Sequence, residues 1–205
     1  MFTSLIDGVM ERRSRQLIEL VSEWLPAEGP VLDLGSGTGH LSARLERERR
    51  IEVIAADVSD IHVTGRPPVL VTDVALPFED RQFTASLLFF VLAYPRDPAA
   101  VLAEAARVTR GPIIVVQTLY SGHLGYVWHR VREFLWTRVA FHVSKVAAYV
   151  PSNAKFTMRT RRLYSGPELR REVESAGLRI RSRRERPVLP GRALVVAGWM
   201  LERDD

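Results

Sequence analysis

Cysteine is absent from all 205 residues, which excludes disulfides, thiolate metal sites and cysteine nucleophiles. Lysine is nearly absent as well: Lys145 and Lys155 are the only two, so arginine supplies almost all the positive charge behind the net +5. A basic balance points toward nucleic acid or an anionic surface, although an arginine bias can equally follow genome composition. No apolar run approaches the roughly 18 residues of a membrane span, and the first residues lack a basic-then-apolar leader, so a cytoplasmic protein is expected. The acidic residues show no metal-ligand spacing, and no metal site is expected. Internal repeats and low-complexity tracts are also missing. With 46% hydrophobic residues, the chain can bury one substantial core, which predicts a single domain over 1–205.

What is present begins at Val31-Leu32-Asp33-Leu34-Gly35-Ser36-Gly37-Thr38-Gly39-His40. A short β-forming run enters a turn with glycine at every second position. Gly35, Gly37 and Gly39 permit positive φ and let backbone N–H groups approach a ligand without a Cβ in the way. The spacing differs from the Gly-x-Gly-x-x-Gly that opens onto a pyrophosphate. Asp33 repels phosphate but suits a ligand carrying an ammonium and a sulfonium. Around this motif, strands and helices alternate. A lead-in helix spans Leu5 to Leu25 (about 3–25) and stops at Pro26, with strands at 31–34, 52–56, 69–72, 86–92 and 113–117. A helix starts near Gly39, another follows Asp97-Pro98, and a third follows Ser165-Gly166-Pro167-Glu168. The last two strands fall at 178–183 and 193–200. This order predicts an α/β, Rossmann-like three-layer sandwich whose seven-stranded sheet is mostly parallel, with the last strand antiparallel.

The glycine turn and the strand order resemble the class I S-adenosylmethionine-dependent methyltransferases over roughly residues 25–200. The segment Asp73-Val74-Ala75-Leu76-Pro77-Phe78-Glu79-Asp80-Arg81-Gln82-Phe83 resembles the subgroup that includes ubiquinone and menaquinone methyltransferases. The resemblance implies S-adenosyl-L-methionine as cofactor. It also implies a cofactor site built from Asp33, Gly35, Ser36, Gly37, Gly39, His40, Asp57, Val58, Asp73, Val74 and Phe90. In it, Asp57 would accept hydrogen bonds from the ribose hydroxyls, Asp73 would contact the adenine amino group and Val74 would pack on the ring. His40 is expected to border the pocket. Past strand four the family often carries two histidines, where this chain has Ala93 and Tyr94.

The implied chemistry is an in-line attack on a sulfonium methyl, in which alignment does most of the work and a base is needed only for a protonated acceptor. Tyr94, His123 and His129 are the candidate catalytic residues, with Tyr120 and Tyr126 nearby. The insertion of about 118–164 is expected to shape the acceptor pocket. Within it, Leu124, Val127, Trp128, Val131 and Leu135 recur at helical spacing as part of a longer apolar series over 124–146. Such a helix suits a lid over a hydrophobic or lipid-like acceptor, or peripheral contact with a membrane; packing on the sheet or on a second subunit is the bland alternative. Gly122 and Gly125 are candidate hinge points. The leading expectation is a small-molecule methyltransferase. An RNA or protein methyltransferase using the basic stretch Arg179 to Arg186 stands as the alternative, as does a non-catalytic adenosylmethionine-binding module. Nucleic acid is the less expected partner, since a solvated strand edge explains those arginines equally well.

Overall fold

A computed structural model describes residues 2–72, 75–135 and 160–203. Helix α1 (Phe2–Val21) leads into β1 (Val31–Leu34), α2 (His40–Arg49), β2 (Val53–Asp57), β3 (Val69–Leu70), β4 (Ala85–Phe89), α3 (Pro98–Val108) and β5 (Ile113–Tyr120). Helix α4 (Gly122–Phe134) comes next. Beyond it lie β6 (Tyr164–Ser165), α5 (Gly166–Ser175), β7 (Leu178–Pro187) and β8 (Leu194–Arg203). The sheet order is β3-β2-β1-β4-β5-β8-β7. The pairs from β3 through β5 are parallel, and β8 runs antiparallel to both β5 and β7. This is the expected doubly wound sheet. The two-residue β6 adds an eighth strand, pairing with Leu119 and Tyr120 of β5 beyond the end of β4.

Side-chain alternation along β1 builds both covering layers at once. Leu32 and Leu34 enter a core that includes Leu102 of α3 and Leu169 of α5. Val31 enters the opposite core with Leu17, Ile18 and Val21 of α1 and Leu45 of α2. The helix starts follow local chemistry. Asp97 accepts the Ala100 N–H at 3.0 Å with Pro98 next to it, and Glu168 Oε2 accepts the Ser165 N–H at 2.7 Å in a capping box, as such residues at these positions require.

Among the boundaries that differ from the sequence expectation, three have a plain physical reason. Strand β4 stops at Phe89, not Leu92, because Phe90 turns the chain with φ 63. Strand β3 is only two residues and exposed, the thin layer that a short connector permits. Helix α1 ends at Val21, where Trp24 N–H bonds to the Val21 carbonyl at 2.9 Å and its ring packs beneath Gly198. No described helix is long and apolar enough to cross a membrane.

Candidate active site

At the carboxyl end of β1 the chain turns through Gly35, Gly37 and Gly39 with φ of 77, 57 and 82. A Cβ on Gly35 would sit 2.3 Å from Val91 Cγ2, and one on Gly39 would sit 2.8 Å from the Thr64 carbonyl oxygen. Gly37 alone faces open space, so it is the point where a ligand can lie against bare backbone. Asp57, closing β2, fixes this loop: Oδ2 accepts the Gly37 N–H at 2.8 Å and Oδ1 the Ser59 N–H at 3.1 Å. Burial pushes the Asp57 carboxyl up, and these backbone donors pull it back. Ser36 Oγ donates to His62 Nε2 at 2.7 Å, and His62 Nδ1–H donates to the Arg66 carbonyl at 2.7 Å. A cavity beside the loop is lined by Leu34, Gly35, Asp57, Val58, Val91 and Tyr94, among others. It lies beyond the carboxyl ends of β1 and β2, where doubly wound sheets bind ligands.

A second cavity, of about 320 Å³, opens between α1, the ends of β4 and β5, and α4. Tyr94 lines both. Phe90, Gln117, Thr118, His129, Arg132, Glu133, Arg13 and Arg186 also line the second cavity. Thr118 anchors the α4 side twice: its carbonyl accepts His129 Nε2–H at 3.3 Å, and its Oγ1 accepts Arg132 Nη2–H at 2.5 Å. The Arg13 guanidinium lies 4.6 Å above the centre of the Phe90 ring. Burial, then the Arg132 charge, push Arg13 down to about 10. Tyr94 lies within hydrogen-bonding reach of Glu133 and Thr160; burial first, and the Glu133 charge second, push its phenol up. That phenol keeps its proton near neutral pH. His129, 2% exposed, is pushed down by burial and is therefore neutral.

The sequence-derived candidates separate into distinct places. Gly35, Asp57 and Val58 meet at the first cavity, with Ser36, Gly37 and Gly39 in the loop beside it. Phe90 faces the second cavity instead. Asp33, 1% exposed, turns beneath α2, where Ser42 Oγ donates to it at 2.6 Å; it is not among the residues lining either cavity. Burial, and the charge of Asp57, push Asp33 up to about 7 against the Ser42 bond. His40 is buried between Thr38 Oγ1 at 2.9 Å and Asp7 Oδ1 at 3.0 Å, tying α2 to α1. Asp73 and Val74 lie outside the described residues. Of the catalytic candidates, Tyr94 and His129 line the second cavity, whereas His123 is exposed on the first turn of α4. Sequence reasoning missed Arg13, His62, Gln117 and Arg132. Gln117 did carry a signal, as a polar residue near the end of the otherwise apolar run Ile113-Ile114-Val115-Val116.

Helix α4 turns its polar side inward and its apolar side outward. Gly125, His129, Arg132 and Glu133 form its inner stripe, while Leu124, Val127, Trp128, Val131, Phe134 and Leu135 are exposed. Its apolar side therefore does not line the cavity. Gly125 sits against the start of β8, where a Cβ would lie 2.0 Å from the Ala193 carbonyl oxygen, a close packing contact. The remainder of the 124–146 series, from 136 onward, lies outside the described residues. The basic run on β7 is engaged at its edge: Arg181 pairs with Glu202, Arg183 with Glu185 and Arg184 with Glu23.

A family model described as a methyltransferase domain matches residues 7–183. An uncharacterised methyltransferase of Mycobacterium tuberculosis is 35% identical over 146 residues, 67% of this chain and 56% of the relative. The chain thus spans about half the length of the curated relatives it matches. A solved S-adenosylmethionine-dependent methyltransferase of Thermotoga maritima aligns over 97% of both chains with TM-score 0.56 and 19% identity. A geranyl diphosphate C-methyltransferase of Streptomyces coelicolor aligns over 94% of this chain and 80% of that one, with TM-score 0.60 and 13% identity. These two structures bear on the fold alone. With the family match covering the glycine loop and strands β1 to β6, the chain belongs to the methyltransferase domain family.

Proposed function

We propose that this protein is an S-adenosylmethionine-dependent methyltransferase acting on a small acceptor with an apolar body. The observation that carries the reading is the pairing of Asp57 with the open Gly37 loop next to a second cavity that shares Tyr94. The fit to the cofactor rests on that cradle: bare backbone at Gly37, a carboxylate at the ribose end and apolar walls from Val58 and Val91 for a flat ring. Asp73 and Val74 complete the adenine side in this reading. When bound, the cofactor supplies an activated methyl group on a sulfonium. The protein's part is to hold the acceptor in line with it and to exclude water. Neutral His129, its Nε2–H given to Thr118, offers Nδ1 as the base for a protonated acceptor, and Tyr94 lines both cavities where they adjoin. The ion-paired arginines of β7 support a small acceptor over RNA. The exposed apolar side of α4 supports peripheral contact with a lipid surface as the route by which the acceptor arrives.

Calorimetry with adenosylhomocysteine tests the cofactor half, and binding is expected. Incubation of a cell extract with enzyme and isotope-labelled methyl donor, read by mass spectrometry, tests the rest. A labelled small molecule is expected; label confined to RNA or protein would reject the acceptor class.

A further inference from the structure

The second cavity carries unmet hydrogen-bonding demand that a purely apolar acceptor cannot satisfy. Among the described residues, four buried side-chain polar atoms have no hydrogen-bond partner: Gln117 Oε1, His129 Nδ1, Arg132 Nε and Trp199 Nε1. Three of the four belong to residues lining this one cavity. Each buried polar atom left so costs about 1–3 kcal/mol, which makes their concentration among the residues around one cavity a mark of a ligand site.

The demand has a definite chemistry. Arg132 Nε is a cationic donor in need of an acceptor. Gln117 Oε1 and His129 Nδ1, the latter an acceptor because Nε2–H is committed to Thr118, are in need of donors. Arg13 and Arg186 add positive charge, Arg186 from the exposed mouth where it donates to Gln16 at 3.1 Å. Glu133 is the one carboxylate among the lining residues, and it accepts Thr160 Oγ1–H at 2.6 Å. With Tyr94 and His129 uncharged, the wall is net positive.

Resting on the methyltransferase reading, we infer that this cavity takes an acceptor with an oxyanion head, gripped by Arg132 and Arg13, and a hydroxyl or amine proton presented to His129 and Gln117. The methyl would then pass to that oxygen or nitrogen. The donor's sulfur leaves as a neutral thioether with the bonding pair, and the acceptor's proton goes to His129 Nδ1. A carboxylate and a phosphate share this head-group chemistry.

The test uses the full chain saturated with adenosylhomocysteine, with benzoate, phenyl phosphate and benzamide as probes at matched ionic strength, read by thermal shift and calorimetry. Benzoate or phenyl phosphate is expected to bind at least tenfold more tightly than benzamide, and the stronger of the two names the head group. Arg132→Met and Arg13→Met should each erase that preference while leaving adenosylhomocysteine affinity intact, which also shows that they fold. Equal binding of all three probes, or no binding by any of them, in protein that binds adenosylhomocysteine overturns the inference alone. Failure to bind adenosylhomocysteine overturns the methyltransferase reading beneath it.

Discussion

Thr118 and His129 are joined at 3.3 Å by a hydrogen bond from the imidazole Nε2 to the backbone carbonyl, which leaves Nδ1 as the ring's lone-pair acceptor. Because burial holds the imidazole below its ordinary value, it stays unprotonated at neutral pH. The rate kcat/KM is expected to be flat above about pH 6.5, the ordinary histidine value, and to fall on acidification as the ring takes a proton. His129→Gln should lower kcat by roughly 10²–10⁴-fold and abolish that acid limb. A retained limb in the variant would assign it to another group.

Asp57 is the carboxylate shared between the glycine loop and the first cavity. Asp57→Ala should weaken adenosylhomocysteine binding by about 1.5–3 kcal/mol, the usual loss for a charged hydrogen bond. Calorimetry reads this directly, and unchanged affinity would remove Asp57 from the ribose contact.

Asp33 carries a stability signature. Its folded value, about 7, lies above the ordinary 3.8, so between those two values the folded state holds a proton that the unfolded state has released. Stability should therefore fall as pH rises from about 4 to 7, by at most about 1.4 kcal/mol per pH unit from this group, and level off above. Asp33→Asn should flatten that slope in melting curves. Parallel curves for both proteins would show that Asp33 titrates normally.

Gly125 meets the Ala193 carbonyl oxygen closely enough that any Cβ must displace backbone. Gly125→Ala should thus destabilise by about 1–3 kcal/mol. A hinge glycine inside a helix predicts the reverse, a gain of up to about 1 kcal/mol from restored helix propensity. Denaturant titration separates the two signs.

Much of the frame was legible because it depends on local chemistry. Gly35 to Gly39, the Asp97-Pro98 start and the Ser165 capping box each determine a turn or helix end from a few adjacent residues. Asp57 was legible because the end of a strand next to a glycine turn leaves little choice of position. Arg13 and Arg132 were not, since they are about 120 residues apart and meet only after α1 and α4 have packed around β4 and β5. His62 was hidden in a connector without periodicity. The direction of α4 was left open for a different reason: its apolar residues have helical spacing, but spacing does not say which side faces inward, and the close approach at Gly125 together with the Thr118 bonds turns His129 and Arg132 to the sheet.

The outward apolar side of α4 changes how the protein behaves in the hands of an experimenter. Trp128, Phe134 and their neighbours offer a greasy ridge to solvent in the fully native state, so a dye such as anilinonaphthalene sulfonate should glow with intact protein and thermal scans read by it should begin bright. Intrinsic tryptophan emission is complicated as well, because Trp128 already sits in water while Trp24 and Trp199 are buried. Circular dichroism is the cleaner gauge of unfolding, and mild detergent is expected to curb self-association during purification.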